Sequence, residues 1–297
     1  MSIDLHLAGI PAGLAPGLAP AKVNLTLHVT GQRPDGYHLL DSLVVFADVG
    51  DQISATPGEG LTLVVTGPFA KGVPLDESNL ILRAAKALRG ARGVKKGAAL
   101  RLNKMLPHAA GIGSGSSDAA TTLRLLAALW DVPPLHPDDP LVLGLGADVP
   151  VCLHAPHAAR MTGIGGHLSA VPPLPHAALV LVNPRVSVST AAAFKTLIRQ
   201  DNPPMAPMPD RWDFESFAAW LNHQRNDLQP GAEAIAPEIT QALTKLRQLP
   251  GIAAAVMSGS GATCVGLVRD MGAARAAARA MQVAQMSWWV VPAALLN

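Results

Sequence analysis

Polar and apolar residues alternate over residues 22–30, Lys-Val-Asn-Leu-Thr-Leu-His-Val-Thr, and this period of two predicts a strand with one buried face. Pro34-Asp35-Gly36 predicts a turn over 31–36. Strand patterning resumes over 38–47 and 51–55, and again over 61–66. Residues 79–89 change to helical spacing, with Ser78 as the expected cap, and 98–104 reads as a strand. Gly111, Gly113 and Gly115 then alternate with small residues. The apolar set Ala119, Leu123, Leu126, Ala127 and Trp130 behind them predicts a helix over 118–130. Residues 140–146 read as a short helix or turn.

A Gly- and Pro-rich stretch over 163–175 predicts a domain boundary. Beyond it, 177–183 is an apolar run of strand length. Residues 190–199 read as a helix, 201–209 with four prolines as a loop, and 213–222 and 236–249 as helices. Residues 253–258 and 263–268 flank the turn Gly259-Ser260-Gly261. An alanine-rich helix is expected over 271–286 and a last strand over 288–292. Strands and helices mixed in this order predict an α+β protein with largely antiparallel sheets. The expected division is a poorly ordered leader over 1–20, a first domain over 21–163 and a second over 164–297.

Composition narrows the function classes. The chain has 297 residues and 49% hydrophobic content, ample for two cores. A net charge of +2 without basic clusters speaks against a nucleic-acid surface. No uninterrupted apolar stretch reaches the length of a membrane span, and the first 21 residues lack the Lys or Arg of a signal peptide. Cys152 and Cys264 lie far apart and outside any metal or redox spacing, which suits a reducing, cytoplasmic compartment. His6, His136, His157, His167 and His176 are expected at the surface, and no pair has convincing metal-ligand spacing. The segment Met205 to Met208 reads as loop.

The glycine stretch carries the chemistry. A glycine-rich loop opening a helix offers free N–H groups at the positive end of the helix dipole, where phosphate binds. A Walker loop is excluded, because no lysine lies between Lys104 and Lys195. The dinucleotide fingerprint is excluded because Asp118 stands where its last glycine belongs.

Three separated motifs are Pro20-Ala21-Lys22-Val23-Asn24-Leu25 with Arg33-Pro34-Asp35-Gly36-Tyr37-His38, Gly113-Ser114-Gly115-Ser116-Ser117-Asp118-Ala119-Ala120, and Ser258-Gly259-Ser260-Gly261-Ala262-Thr263. Together they resemble the GHMP kinase superfamily, from about residue 20 to the C-terminus. Gly146-Ala147-Asp148-Val149-Pro150 and Asn226-Asp227-Leu228 strengthen the likeness. Ala109-Ala110 and Ser114 stand where the family usually has glycine, and His108 is not a residue the pattern leads one to expect.

The resemblance implies a two-domain fold, with a ribosomal S5 domain 2-like N-terminal domain and a ferredoxin-like C-terminal domain. It implies phosphoryl transfer from ATP, with Mg²⁺, to a hydroxyl of a small cytidine diphosphate substrate. Lys22 and Asp148 match the catalytic pair, with Asp148 accepting the hydroxyl proton. Asn79, Lys104, Pro107, Ala109, Ala110, Gly111, Ile112, Gly113, Ser114, Gly115, Ser116 and Ser117 match the ATP site. Asn24, Tyr37, His38, Asp148, Thr190, Phe194, Gly259 and Ser260 match the substrate site, with Tyr37 and Phe194 on opposite faces of the cytosine. The metal ligands stay open; Ser116 and Ser117 are the nearby hydroxyls. No nucleic-acid or membrane partner is expected, and the chain is read as a monomer or weak homodimer. The competing readings are a kinase of a simpler alcohol, an idle nucleotide sensor with this fold, and an RNA-binding protein.

Overall fold

The computed structural model describes residues 11–296. Its elements are β1 (Leu18–Asn24), β2 (His28–Gln32), β3 (His38–Gly58), β4 (Leu61–Thr66), α1 (Leu80–Ala91), β5 (Gly97–Asn103), α2 (Ser114–Trp130), α3 (Pro140–Leu145), α4 (Val149–His154), β6 (Ala159–Gly163) and β7 (His167–Ala170). There follow β8 (Ala178–Asn183), α5 (Thr190–Lys195), α6 (Phe214–Asn222), α7 (Gln229–Ile235), α8 (Glu238–Gln248), β9 (Ala254–Met257), β10 (Cys264–Val268), α9 (Met271–Ala284) and β11 (Trp289–Leu296).

The long strand β3 is the spine. Along its length it pairs antiparallel with β2, β6, β1 and β5. β4 adds parallel to β5, with α1 as the crossover between them, so the otherwise antiparallel order has one parallel edge. β11 joins the halves: Leu295 and Leu296 pair with β3, while residues 289–294 pair with β8, which continues to β10 and β9.

Strand alternation sorts side chains into three cores. Val44 and Phe46 face α1 to α4, whereas Leu43, Val45 and Ala47 face the opposite way. In β8, Val180 and Val182 pack under α8 and α9, while Leu179 and Leu181 turn into the same middle core as Leu43. That double burial explains why 177–183 reads as a continuous apolar run.

Several boundaries differ from the sequence reading, each through tertiary pairing. The strand expected over 22–30 is broken at Leu27, whose amide bonds to the Arg225 carbonyl and whose carbonyl accepts from Asp227. The two strands over 38–55 are one. α2 starts at Ser114 instead of 118, so the glycine loop feeds directly into the helix. Asn79, not Ser78, caps α1. α5 ends at Lys195, well short of 199. β6 and β7 occupy the stretch next to the expected boundary at 163, and β7 belongs with the first sheet. The helices α4 and α7 carried no periodicity long enough to be read.

The leader is corrected over 11–20. β1 starts at Leu18, Ala19 and Pro20 are buried, Leu14 packs inside, and the Gly17 carbonyl accepts from Ile53. A segment of Pro, Ala, Gly and Leu with no polar residue, and so no polar–apolar alternation to read, is held there by a strand edge. Residues 1–10, with His6, and Asn297 lie outside the described residues. His136, His157, His167 and His176 are exposed.

A chain starting at Pro20 should therefore lose about 2–4 kcal/mol through Leu14, Leu18 and the first strand pairs. In calorimetry this corresponds to a fall in Tm of at least ~5 °C. An unchanged Tm would show that residues 11–19 contribute nothing to the fold.

Candidate active site

The glycine loop enters from β5. Asp51, fully buried on β3, accepts from the amides of Met105 (2.6 Å) and Leu106 (2.8 Å) and so fixes the chain's turn out of the strand. The loop then packs backbone against backbone on the turn after β9. A Cβ on Gly111 would stand 2.2 Å from the Ser258 carbonyl oxygen, so only glycine fits. The Ser258 hydroxyl donates to the Gly111 carbonyl (2.8 Å) and accepts from the Asn24 amide (3.0 Å). Gly113, in the left-handed region at φ 58°, caps α2. The Ser117 amide bonds back to the Gly113 carbonyl, leaving Ser114, Gly115 and Ser116 as first-turn amides with no carbonyl one turn earlier. The anion cradle is thus shorter than the expected run to Ser117.

Lys22 and Asp148 stand beside this cradle. Lys22, on β1, is buried; its ammonium lies 2.9 Å from Asp148 Oδ2 and donates to Asn24 Oδ1 at 2.8 Å. The Asn24 amide group donates to Ser42 Oγ (2.7 Å), which in turn donates to the Thr26 carbonyl. Lys22 is therefore oriented, not a solvated strand-end charge. Asp148 sits at the N-terminus of α4 but makes no capping bond with its side chain, so its carboxylate faces the cavity. An ammonium has three donors, and two are used.

That cavity, of about 950 Å³, is lined by Lys22, Asn24, Tyr37, His38, Ala109 to Gly111, Gly113 to Ser116, Asp148, Thr190, Phe194, Gly259 and Ser260. Tyr37 is 60% exposed on its rim. The Thr190 and Ser260 hydroxyls lie 3.0 Å apart, and the Gly259 carbonyl accepts from Asn226 Nδ2 at 2.8 Å. Phe194 does not stand alone opposite Tyr37: its ring is stacked on His38, 4.7 Å between centroids and 13° between planes. Burial holds the His38 imidazole pKa below its ordinary value, and its Nδ1 is buried with no partner.

A second cavity of about 260 Å³ opens on the far side of the loop and shares Leu80, Ala109, Ser114 and Gly115 with the first. Asn79, Lys104, His108 and Asp118 line it. Two of the residues matched to the ATP site also hold the fold together here. Asn79 spends its side chain on the fold, accepting from the Ile81 amide (2.8 Å) and donating to the Pro74 carbonyl (2.7 Å). Lys104 is no surface charge but is buried between Asp51 (2.5 Å) and Asp118 (2.6 Å). Pro107 and Ile112 are buried and line neither cavity; Ile112 belongs to the middle core, and its carbonyl accepts from the Lys22 amide at 3.0 Å. The Ser117 hydroxyl is buried without a partner.

Sequence reasoning passed over Asp51, Asp118, Ser42 and Ser258. Asp118 was readable as the odd residue of the glycine motif. The others pair with partners 16 to 234 positions away, which no local pattern signals.

Comparison with known proteins shows the family. Residues 79–155 match the family described as GHMP kinases N terminal domain, and residues 210–286 match GHMP kinases C terminal. The chain is 56% identical over 281 residues to the 4-diphosphocytidyl-2-C-methyl-D-erythritol kinase of Cereibacter sphaeroides, covering 94% of this chain and 98% of that protein. It is 49% identical over 283 residues to the protein of the same name from Paramagnetospirillum magneticum, covering 94% and 98%. A crystal structure of 4-(cytidine 5'-diphospho)-2C-methyl-D-erythritol kinase superposes with a TM-score of 0.77 at 32% identity, covering 94% and 98%. A homoserine kinase from Cytophaga hutchinsonii, at 16% identity and a TM-score of 0.60 over 94% of each chain, shares the fold alone.

The Asp51–Lys104–Asp118 cluster generates a test. Lys104→Met strands two buried carboxylates and should cost about 3–5 kcal/mol in denaturant unfolding. Burial, with the Asp51 charge adding to it, pushes the Asp118 carboxyl up to about 7. Between the ordinary carboxylate range and that value the folded chain holds a proton that the unfolded chain releases, so this group's contribution to stability falls as pH rises. Asp118→Asn should flatten the decline between pH 4 and pH 7. An unchanged slope would show that Asp118 is ionised throughout.

Proposed function

The chain belongs to the 4-diphosphocytidyl-2-C-methyl-D-erythritol kinases of the GHMP superfamily, and from that premise we propose how it phosphorylates its acceptor. It is an ATP-dependent kinase. The reaction read here moves the γ-phosphoryl group of ATP to the 2-hydroxyl of 4-diphosphocytidyl-2-C-methyl-D-erythritol. The products are the 2-phosphate and ADP, a step towards isoprenoid precursors outside the mevalonate route. One observation carries the reading. The Lys22–Asp148 pair, the anion cradle at the start of α2 and the Tyr37–His38 rim all open into one cavity.

The chain's own groups account for each part of the transfer. The amides of Ser114, Gly115 and Ser116 receive phosphate oxygens, and the smaller cavity beyond them takes the nucleoside. Asp148 Oδ2 is held by Lys22, which leaves Oδ1 to accept the proton of the substrate hydroxyl. The hydroxyl oxygen then bonds to the γ-phosphorus while the bond to the β-bridging oxygen breaks and ADP leaves. The third donor of Lys22 is free for the oxygens of the group in transit, where negative charge accumulates.

Magnesium fits as a companion of the phosphates. Among the described residues no three His, Cys, Asp or Glu side chains gather into a metal site. Mg²⁺ needs no such cage beside a nucleotide, since one or two protein oxygens suffice. The unpartnered Ser117 hydroxyl and the cavity-lining Ser116 would supply those oxygens. The ion would neutralise charge on the phosphates.

At the other end, Tyr37 offers an uncovered ring for stacking. His38, whose pKa burial lowers, borders the cavity where it can meet the cytosine edge. Phe194 backs the His38 ring, so a cytosine reaches Phe194 only by displacing that stack or lying beside it. Among the described residues no helix is long and apolar enough to cross a membrane, which suits the expected cytoplasmic location.

Coupled ADP release with the cytidine substrate, homoserine and mevalonate tests the whole reading, and turnover is expected with the first alone. Asp148→Asn should lower kcat by roughly 10²–10⁴, with ATP affinity nearly unchanged. Wild-type turnover in that variant would falsify a base role. Tyr37→Ala should reduce kcat/KM for the acceptor by about 5- to 150-fold, the equivalent of losing one base stack. A larger effect on ATP than on the acceptor would mean that the two sites are exchanged.

A further inference from the structure

One buried cation has no part in the chemistry described so far. Arg124 lies on α2, ten residues after the helix begins at Ser114, roughly 15 Å along its axis from the cradle. It is 7% exposed. Its Nη2 donates to the carbonyls of Cys152 (2.7 Å) and Ala155 (3.3 Å), and its Nη1 is buried with no acceptor. Among the described residues it pairs with no carboxylate. Burial lowers its pKa to about 10, which still leaves it charged at neutral pH. An unpaired guanidinium in a core is costly, and an apolar side chain of similar volume would fill the space at lower cost.

The two carbonyls it holds close the end of α4, the six-residue helix that Asp148 begins. A helix this short has little stability of its own. Its last bond, from the Ala155 amide to the Cys152 carbonyl, is long at 3.4 Å, and Asp148 contributes no side-chain cap. A positive charge at the carbonyl end favours the helix dipole. α2 meanwhile carries the phosphate cradle at its own start. One side chain therefore ties the helix that orients the base to the helix that orients the phosphate.

We propose that Arg124 is a positioning residue for phosphoryl transfer, setting the Asp148 carboxylate relative to the phosphate held at the start of α2. The proposal rests on the reading of Asp148 as the proton acceptor.

The test is steady-state kinetics at 25 °C on folded R124M and R124K, alone and with D148N, with Tm measured on each. Displacing a reacting group by a fraction of an ångström affects the chemical step, so R124M should lower kcat about 10- to 100-fold. KM for ATP and for the cytidine acceptor should stay within about threefold. R124K, which keeps a cation able to reach one carbonyl, should recover much of the loss. In the D148N background R124M should cost less than about twofold, because the group it positions is gone. Three results would overturn the proposal: kcat within about twofold of wild type in R124M, a loss carried by KM, or the same loss with and without the Asp148 carboxylate. If R124M fails to fold, R124Q is read by the same criteria. Near-wild-type turnover in D148N alone would remove the base reading, a result distinct from any of these three.

Discussion

The contact between the glycine loop and the turn after β9 is the constraint on which the site depends. Two backbones approach so closely there that neither Gly111 nor Gly259 tolerates a Cβ, which would stand 2.2 Å and 2.7 Å from the facing carbonyl oxygens. Ser258 bonds both to the loop and to the Asn24 amide, the Thr263 amide donates to the Ala110 carbonyl (3.1 Å), and the Lys22 amide donates to the Ile112 carbonyl (3.0 Å). Three segments distant in sequence are thereby locked into one wall. The wall aims the first amides of α2, the Lys22 ammonium and the Gly259-Ser260 turn into a common cavity. A site assembled this way is rigid before any ligand arrives, which is what stabilising charge that develops during a reaction requires.

Buried charge is the second organising feature. Lys22 is buried and paired at the large cavity; Lys104 is equally buried, paired twice, and borders the smaller one; Arg124 is met only by carbonyls. These cations differ in their access to the cavity more than in their burial. Lys22 has a donor left over and a carboxylate whose other oxygen is open. Lys104 is held by both Asp51 and Asp118, which joins β3, the exit of β5 and α2 beside the smaller cavity. Such clusters add little net stability against an apolar core, but they fix one arrangement, since any shift leaves a charge unpaired.

How much of this was legible in the sequence follows from how local each cause is. The glycine loop and the Pro-Asp-Gly turn before Tyr37 are short-range, and so is the apolar run that marks β8. Lys22, Asp148, Tyr37, His38 and Ser260 could be named because their motifs are contiguous, and the fold brings them to one cavity. Asn79, Pro107 and Ile112 were matched to the ATP site by resemblance; Asn79 caps α1 and also lines the smaller cavity, while Pro107 and Ile112 are buried and line neither. Motif membership does not distinguish a side chain that faces a ligand from one that holds its neighbour in place.

The sequence by itself determined the α+β class and pointed to the glycine loop, Lys22 and Asp148 as candidates, because each lies in a motif of residue types a few positions apart, with backbone conformations that those types dictate. Only the tertiary structure decided that residues 11–20 belong to the body, that Phe194 leans on His38, and that Lys104 lies buried between two aspartates. These depend on pairings across tens to hundreds of residues: a strand edge that recruits a poorly patterned segment, a helix that presents an aromatic ring to a strand, and a core that closes over a charge. Their free energies come from burial and desolvation, which a one-dimensional pattern does not contain.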